Sequence, residues 1–257
     1  MEDWKKLSGQ ISAWIMDYAR KNDISTLVVG VSGGIDSAVT SALCANTGLR
    51  TIALNMPIHQ DSSQYDLSNQ HIGWLSSNWE NVESHIIDLT GTFDSISSEL
   101  SDKGVDKLAL ANTRARLRMT ALYSIAGSNN GIVVGTGNKI EDFGVGFFTK
   151  YGDGGVDISP IADLYKSEVY SLAEVLGVIQ EIRDAAPTDG LWDDGRTDEE
   201  QIGATYGELE WAMRETESPS GAELTDRQRK VMDRYLHLNS TNSHKMKPIP
   251  VFSRDDH

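Results

Sequence analysis

The chain has 257 residues, 38 Asp and Glu against 23 Lys and Arg, a formal net charge of −15, 39% apolar and 24% charged residues, and one cysteine. So acidic a chain lacks the basic face with which a nucleic-acid binder neutralises phosphates. No apolar run approaches the roughly 20 residues of a membrane span, and one cysteine rules out an internal disulfide or a cysteine-built zinc cluster. The composition is that of a soluble globular protein, and the length suits one large domain, or one domain with a helical appendage, around a substantial core.

At the N-terminus, Trp4, Leu7, Ile11, Trp14, Ile15 and Tyr18 fall at helical spacing, which predicts an amphipathic first helix. The same stretch lacks the apolar core of a signal peptide, so a cytoplasmic location is the expectation. Leu27, Val28, Val29 and Val31 suit a buried parallel strand, and 37–44 (SAVTSALC) reads as the helix after it, with Cys44 as a small buried hydrophobe. A second strand is expected over 51–57, a long helix from Asp61 to Trp79, a third strand over 82–88, a helix over 106–127 and an apolar strand over 131–135. Trp74, Leu75 and Trp79 can serve equally as core or as a subunit contact. Residues 137–160 are glycine-rich and irregular, and read as a functional loop rather than a linker. A helix over 163–176 stops at Gly177, and helices follow over 198–214 and 223–238. Between them the acidic segment 184–200 is expected to be a mobile lid, the alternative being a solvated loop. This alternation predicts an α/β, Rossmann-like layered fold with a mainly parallel sheet flanked by helices.

The stretch 26–38, TLVVGVSGGIDSA, joins the first strand to its helix. Gly33 and Gly34 let the backbone turn sharply and approach an anion closely. Ser32 and Ser37 add hydroxyls, and amides at the helix start favour negative charge. The bland alternative is an ordinary βα connection. Neither the GK[ST] ending of a Walker loop nor GxGxxG occurs. The segment resembles instead the SGGxDS loop of the ATP pyrophosphatases, which split ATP between its α and β phosphates, adenylating a substrate oxygen and releasing pyrophosphate.

Strand ends carry ligands in such sheets, and GTGN after Val134 lies at a second one, so two loops are expected to converge on one crevice. Asp36 in the first loop and Glu141 in GTGNKIE would repel a triphosphate unless Mg2+ bridges them, so the pair implies a metal. Taken singly, Asp36 can cap the following helix and Glu141 can lie on the surface. Because the net charge is negative, a polyanionic ligand must be met by a few positioned cations. Arg114, Arg116 and Arg118 alternate along a helix and cannot all point one way; a solvated helix is the ordinary reading, with one arginine able to reach the crevice. Farther on, Phe147, Phe148 and Tyr151 can stack on flat rings or fill core, Asp157 can accept from ribose hydroxyls, and Lys150 and Lys166 can meet phosphates.

SGGIDSA, NTRARLRM, GTGNKIE, FFTKYGDGGVDISPIADLYK, APTDGLW at 186–192 and His244-Lys245 occur in the order and approximate spacing of ammonia-dependent NAD synthetase. The resemblance covers residues 10–250, FTKYGDGG being its most specific string. It implies an adenine nucleotide alpha hydrolase-like fold and a single domain over 1–257, with 201–257 a helical C-terminal part. In that family the carboxylate of deamido-NAD attacks the α phosphate of ATP, and ammonia then displaces AMP to leave the amide of NAD. By motif, Ser32, Gly33, Gly34, Asp36 and Ser37 would hold the departing pyrophosphate, with Asp36 and Glu141 on Mg2+. Thr136, Lys166 and Thr188 match ATP contacts; Arg116, Lys150, Asp157, His244 and Lys245 match deamido-NAD contacts. Asp153 is one candidate to take the proton from ammonium. The spacing from Glu141 to Lys150 is one residue longer than in some members, and Thr188 stands in PTDGL where many read PTADL. Glutamine-dependent members add a glutaminase domain with a cysteine nucleophile, for which this chain has neither the length nor a suitable cysteine, so free ammonia is the expected donor. A homodimer is implied by the resemblance alone. Two other readings are an adenylating enzyme acting on a tRNA base or a nucleotide, and a nucleotide-binding regulator without turnover. Acidity and the absence of paired cysteines count against RNA thiolation, and the Asp36 and Glu141 pair counts against the regulator.

Overall fold

A computed structural model of the protein describes residues 3–188 and 197–254. Residues 189–196 of the expected lid, 184–200, lie outside the described residues. Four strands, β1 (Thr26–Gly30), β2 (Arg50–Asn55), β3 (Val82–Ile86) and β4 (Gly131–Val133), form one sheet in the order β3-β2-β1-β4. All three pairings are parallel. Parallel neighbours need crossovers, and helices supply them. The helices are α1 (Trp4–Lys21), α2 (Ile35–Asn46), α3 (Ser62–Asn78), α4 (Thr90–Glu99), α5 (Lys107–Ser128), α6 (Lys166–Leu176) and α7 (Gln180–Asp184).

Both faces of the sheet are covered. Leu27 packs with Ile15, Val39, Leu43 and Leu172, while its neighbour Val28 packs with Ile52, Leu54, Met119 and Leu122. That is the alternation a strand imposes, and it explains why β1 reads as an unbroken apolar run. At the edge, β3 is exposed from Glu83 to Ile86, and Glu83 accepts from Arg50 Nε and Nη2 at 2.8 Å each. Leu75 is fully buried, with Trp74 and Trp79 packed edge-to-face 5.1 Å apart beside it, so this trio belongs to the chain's own core. Cys44 is buried and its thiol is pushed up to about 12 by that burial. Among the described residues no helix is long and apolar enough to cross a membrane.

From β1 the chain builds outward through β2 and β3, then returns along α5 to place β4 on the other side of β1. Strand order therefore reverses at β1 and β4, the position at which such sheets open a crevice beyond their carboxyl ends. The loops after these two strands are SGG and TGN.

The glycine-rich stretch holds an element the residue pattern did not suggest, a π-helix over Ile140–Val145. Its end folds the amides of Gly146 and Phe147 back onto the Glu141 carbonyl. A π-turn accommodates one more residue than an α-turn and occurs often at functional sites. The helix expected over 198–214 is two, α8 (Asp198–Ile202) and α9 (Tyr206–Glu217), broken where Gly203 adopts a left-handed φ of 85°. The last helix, α10 (Asp226–Met246), runs well past the expected end at 238 and so carries His244 and Lys245 in its final turn. Helices α9 and α10 close over the π-helix in a second apolar cluster containing Ile140, Val145, Tyr206, Leu209, Met213 and Tyr235.

Candidate active site

The loop after β1 is tied to itself. Ser37 Oγ accepts the Ser32 amide at 3.1 Å and donates to the Gly34 carbonyl at 2.9 Å, while Ser32 Oγ accepts the Gly34 amide at 3.2 Å. Gly33 has φ 89°, and a Cβ there would stand 2.8 Å from the Gln64 carbonyl oxygen. Left-handed backbone alone costs a residue with a Cβ about 1–2 kcal/mol, and the clash with α3 adds to it. Gly33→Ala is therefore expected to lower thermal stability and reduce pyrophosphate release by at least tenfold, checked by a melting curve and a pyrophosphate assay.

The N-cap of α2 is Gly34, which leaves Asp36 in the first turn with its carboxylate engaged by side chains of other segments. The second loop reaches it through Asn138, a fully buried residue absent from the residues singled out in the sequence. Asn138 Nδ2 donates to Asp36 Oδ1 at 3.2 Å, while its Oδ1 accepts the amides of Ile140 and Glu141 at 3.1 Å each. One side chain thus caps the π-helix and joins the two loops, a habit of Asn at turns and helix starts that GTGN could have signalled.

Lys166 opens α6 and is 3% exposed. Its Nζ donates to Asp36 Oδ2 at 2.5 Å and to Glu141 Oε1 at 3.1 Å. A cation in the first turn opposes the helix dipole, and burial works against its charge. Asp36 and Glu141 more than offset both and hold the ammonium above its ordinary range. Beneath it lies the ring of Tyr206, 4.7 Å away. The Tyr206 hydroxyl donates to Glu141 Oε1 at 2.5 Å and lies 3.3 Å from Asp198 Oδ2. Tyr206 does not stand out in the sequence, because it lies beyond the motif strings in a stretch that reads as ordinary amphipathic helix, and Asp198 is one of several acidic residues in the expected lid segment 184–200.

A cavity of about 780 Å³ has Ser32, Arg116, Thr136, Lys150, Asp153, Thr188, His244 and Lys245 on its wall, while Asp36, Glu141 and Lys166 are not on it. Gly33, Gly34 and Ser37 shape the loop behind Ser32 rather than the wall. Of the three alternating arginines, Arg116 and Arg118 both reach the cavity, where one was expected. Arg118 Nε also donates to the Met56 carbonyl at 2.9 Å, and Arg114 lies over the Phe93 ring at 4.8 Å. Asp157 is placed elsewhere: Tyr123 hydroxyl and the Val133 amide occupy its two oxygens at 3.0 and 2.7 Å. In this structure it fastens α5 to β4.

Helix α10 holds one wall of the cavity. Asn239 Nδ2 donates to the Gly144 carbonyl at 2.7 Å, Asn242 Nδ2 to the Val145 carbonyl at 2.8 Å, and Lys245 Nζ to the Phe148 carbonyl at 2.7 Å and to that of Gly146. Spaced by three along one face, these donors satisfy a run of loop carbonyls that have no strand partner. Burial holds the Lys245 ammonium below its ordinary range. Lys150 Nζ donates to the His244 carbonyl at 3.3 Å. Phe147 packs into the second core, Phe148 lies under Lys245 at 4.8 Å, and both reach the cavity. Asp153 is an exposed residue that accepts the Thr149 amide at 3.0 Å, and desolvation of its carboxyl group within that turn lifts it to about 6.

The family model described as NAD synthase matches residues 7–249. The chain belongs to the NAD synthase family. The NH(3)-dependent NAD(+) synthetase of Alkaliphilus metalliredigens is 37% identical over 246 residues, 94% of this chain and 96% of the relative. The NMN synthetase structure from Francisella tularensis superposes with a TM-score of 0.87 at 32% identity, covering 99% of this chain and 100% of that one. The NH3-dependent NAD synthetase structure from Campylobacter jejuni, 24% identical with TM-score 0.80 over 98% and 100% of the two chains, shares the fold. That fold is adenine nucleotide alpha hydrolase-like. The NAD synthase motifs thus sit on the two loops at the point where strand order reverses.

Among the described residues no group of three or more His, Cys, Asp or Glu could hold a metal ion, so a cation here would have two carboxylates from the protein. Asp36 and Glu141 both direct carboxylate oxygens at one cationic group, the Lys166 ammonium, and hard oxygen donors of this kind bind Mg2+, which draws its other ligands from phosphates and water.

Proposed function

We infer that this chain is an ammonia-dependent NAD synthetase, an ATP-dependent amide-forming ligase. The observation that carries the reading is the meeting of Asp36, Glu141 and Lys166, from three separate segments, at the family's own SGGIDS loop, whose Ser32 lines the cavity of about 780 Å³. A free carboxylate resists ammonia because its oxide is a very poor leaving group. Adenylation by ATP converts it to a mixed anhydride from which AMP departs. The protein's part is to align the acceptor carboxylate with the α phosphate and to neutralise charge as pyrophosphate leaves.

In this proposal the Ser32 to Ser37 loop and the start of α2 hold the β and γ phosphates, with Thr136, Lys166 and Thr188 on the nucleotide. Asp36 and Glu141 would hold Mg2+, which supplies charge neutralisation at the phosphates. Arg116, Lys150, His244 and Lys245 line the side of the cavity offered to the acceptor. Asp157 would act from behind Tyr123, which lines a shallower recess with Arg116 and Tyr151. The enzyme is proposed to be a cytoplasmic homodimer, and light scattering in solution checks the subunit count.

Asp153 is proposed to take the proton from ammonium. With its carboxyl lifted to about 6, it is a competent base above that pH and is protonated below it. The wild-type rate at saturating ammonium is therefore expected to fall as pH drops through 6. Asp153→Asn should remove that limb and lower kcat by roughly 10²-fold or more. An unchanged pH profile in the variant would take Asp153 out of the role.

A second reading concerns the acceptor. Superposition on the NMN synthetase favours a mononucleotide, which needs only part of the cavity. One assay separates the possibilities: ATP, Mg2+ and ammonium with either deamido-NAD or nicotinic acid mononucleotide, following AMP, pyrophosphate and the amide product. Faster turnover of the mononucleotide would replace the dinucleotide assignment. Amide formation from glutamine alone would overturn the ammonia assignment, and ATP binding without pyrophosphate release would mark a regulator.

A further inference from the structure

Glu141 Oε1 is held by two donors, of which only Lys166 belongs to a recognised motif. The second is the Tyr206 hydroxyl at 2.5 Å, from the first residue of α9. Tyr206 is unusually well fixed for a side chain outside the sheet. Its ring is 6% exposed within the second apolar cluster, and its amide donates to Glu199 Oε1 at 2.8 Å. The helix it opens is locked by the reciprocal Thr205 and Glu208 cap. The same hydroxyl lies 3.3 Å from Asp198 Oδ2, and the Asp198 amide bonds the Pro187 carbonyl at 3.1 Å, next to Thr188 on the cavity wall. Glu141, by contrast, lies in a π-helix, whose wide turn defines side-chain direction less tightly than an α-helix packed on both sides. Its carboxylate direction is therefore set by what it bonds.

We propose that Tyr206 is a positioning residue for the ligase reaction, aiming the Glu141 carboxylate at the divalent cation and coupling it to the chain that borders Thr188. The inference rests on the assignment of Asp36 and Glu141 to that cation. A phenol fits the task because it donates one hydrogen bond without adding charge, and it leaves the second carboxylate oxygen available. Partners of this kind behind a metal ligand are commonly worth about 10–100-fold in metal affinity or activity.

The test uses Mn2+ as the probe, titrated by electron paramagnetic resonance against the full chain with a non-hydrolysable ATP analogue present. Three variants are compared with wild type: Tyr206→Phe, Glu141→Gln and the double variant. Tyr206→Phe keeps the ring, its packing and its contact with Lys166, and a melting curve confirms that the fold is retained. The expected result is a Mn2+ Kd raised at least about tenfold, an apparent KM for Mg2+ raised in step, and a smaller loss of kcat at saturating Mg2+. In the Glu141→Gln background the Tyr206→Phe effect should disappear, because the hydroxyl acts through the carboxylate. Should Tyr206→Phe bind Mn2+ like wild type while Glu141→Gln binds it weakly, the positioning role is overturned. If Glu141→Gln itself binds Mn2+ normally, the cation assignment fails instead. A Tyr206→Phe loss that persists undiminished in the double variant would also overturn the proposal, since it marks a structural effect.

Discussion

Replacing Lys166 by methionine is expected to damage stability and turnover together, and to do so in a pH-dependent way. Methionine nearly fills the volume but leaves Asp36 and Glu141 facing one another in a buried site without their shared cation. Removing one partner of a buried ion pair typically costs about 3–5 kcal/mol, here shared between two carboxylates and reduced by the phenol that still donates to Glu141. The sign follows from linkage. Burial and the neighbouring Glu141 already hold the Asp36 carboxyl above its ordinary range against the pull of Lys166, and with the ammonium gone its proton affinity rises further above the unfolded value. The variant therefore gains stability relative to wild type as pH falls and loses it as pH rises. Melting curves of both proteins between pH 5 and 8 check this, and parallel curves would refute it. A second readout follows from the donor set: Mg2+ should stabilise Lys166→Met more than wild type, because no internal cation competes for the carboxylates. Turnover should fall by roughly 10²–10³-fold, the usual cost of a charge-stabilising group lost from a transition state.

Asp36→Asn is expected to have the larger effect on turnover and the smaller one on stability. Asparagine keeps the volume, and its amide oxygen can still accept from Lys166 or from Asn138, so the fold loses one charge interaction rather than a packing element. The proposed cation position, however, loses one of its two carboxylates. Pyrophosphate release is expected to fall by about 10³-fold or more, and the residual rate should respond only weakly to Mg2+. The measurement is pyrophosphate release against Mg2+ concentration for wild type and variant. A normal Mg2+ response would remove Asp36 from the cation, while an unchanged rate would also undo the reading of the loop.

These two residues also show how far the primary structure can be read. Asp36 lies in a six-residue string with a chemistry of its own, where strand, glycines, hydroxyls and carboxylate are adjacent. Local pattern is enough there, because a sharp βα turn and a helix start are made by neighbouring residues. Lys166 is 130 residues away, and nothing in its vicinity announces a buried ammonium. Family resemblance marked the position, and the sheet brought it to Asp36. The C-terminal layer was less visible still. The helix over 198–214 shows continuous amphipathic spacing, yet Gly203 divides it in two, and that break places Tyr206 at a helix start under Glu141. The last helix appeared to end near 238 because apolar spacing fades there. It continues because Asn239, Asn242 and Lys245 bond loop carbonyls in place of apolar packing.

The sequence by itself determined the reaction class and the layer order. Apolar strand runs, the spacing of helices and the SGGIDS and FTKYGDGG strings are short-range features, and their physics is local. What only the tertiary structure decided is which of the many charged residues face each other. Asp157 matched a ligand contact and yet bonds Val133 and Tyr123; Asn138 showed only the turn-forming habit of GTGN, Tyr206 showed nothing, and both join the site. The reason is that a hydrogen bond depends on position and direction within a fraction of an ångström. Those follow from how helices and loops far apart in the chain pack against the sheet, which periodicity does not encode.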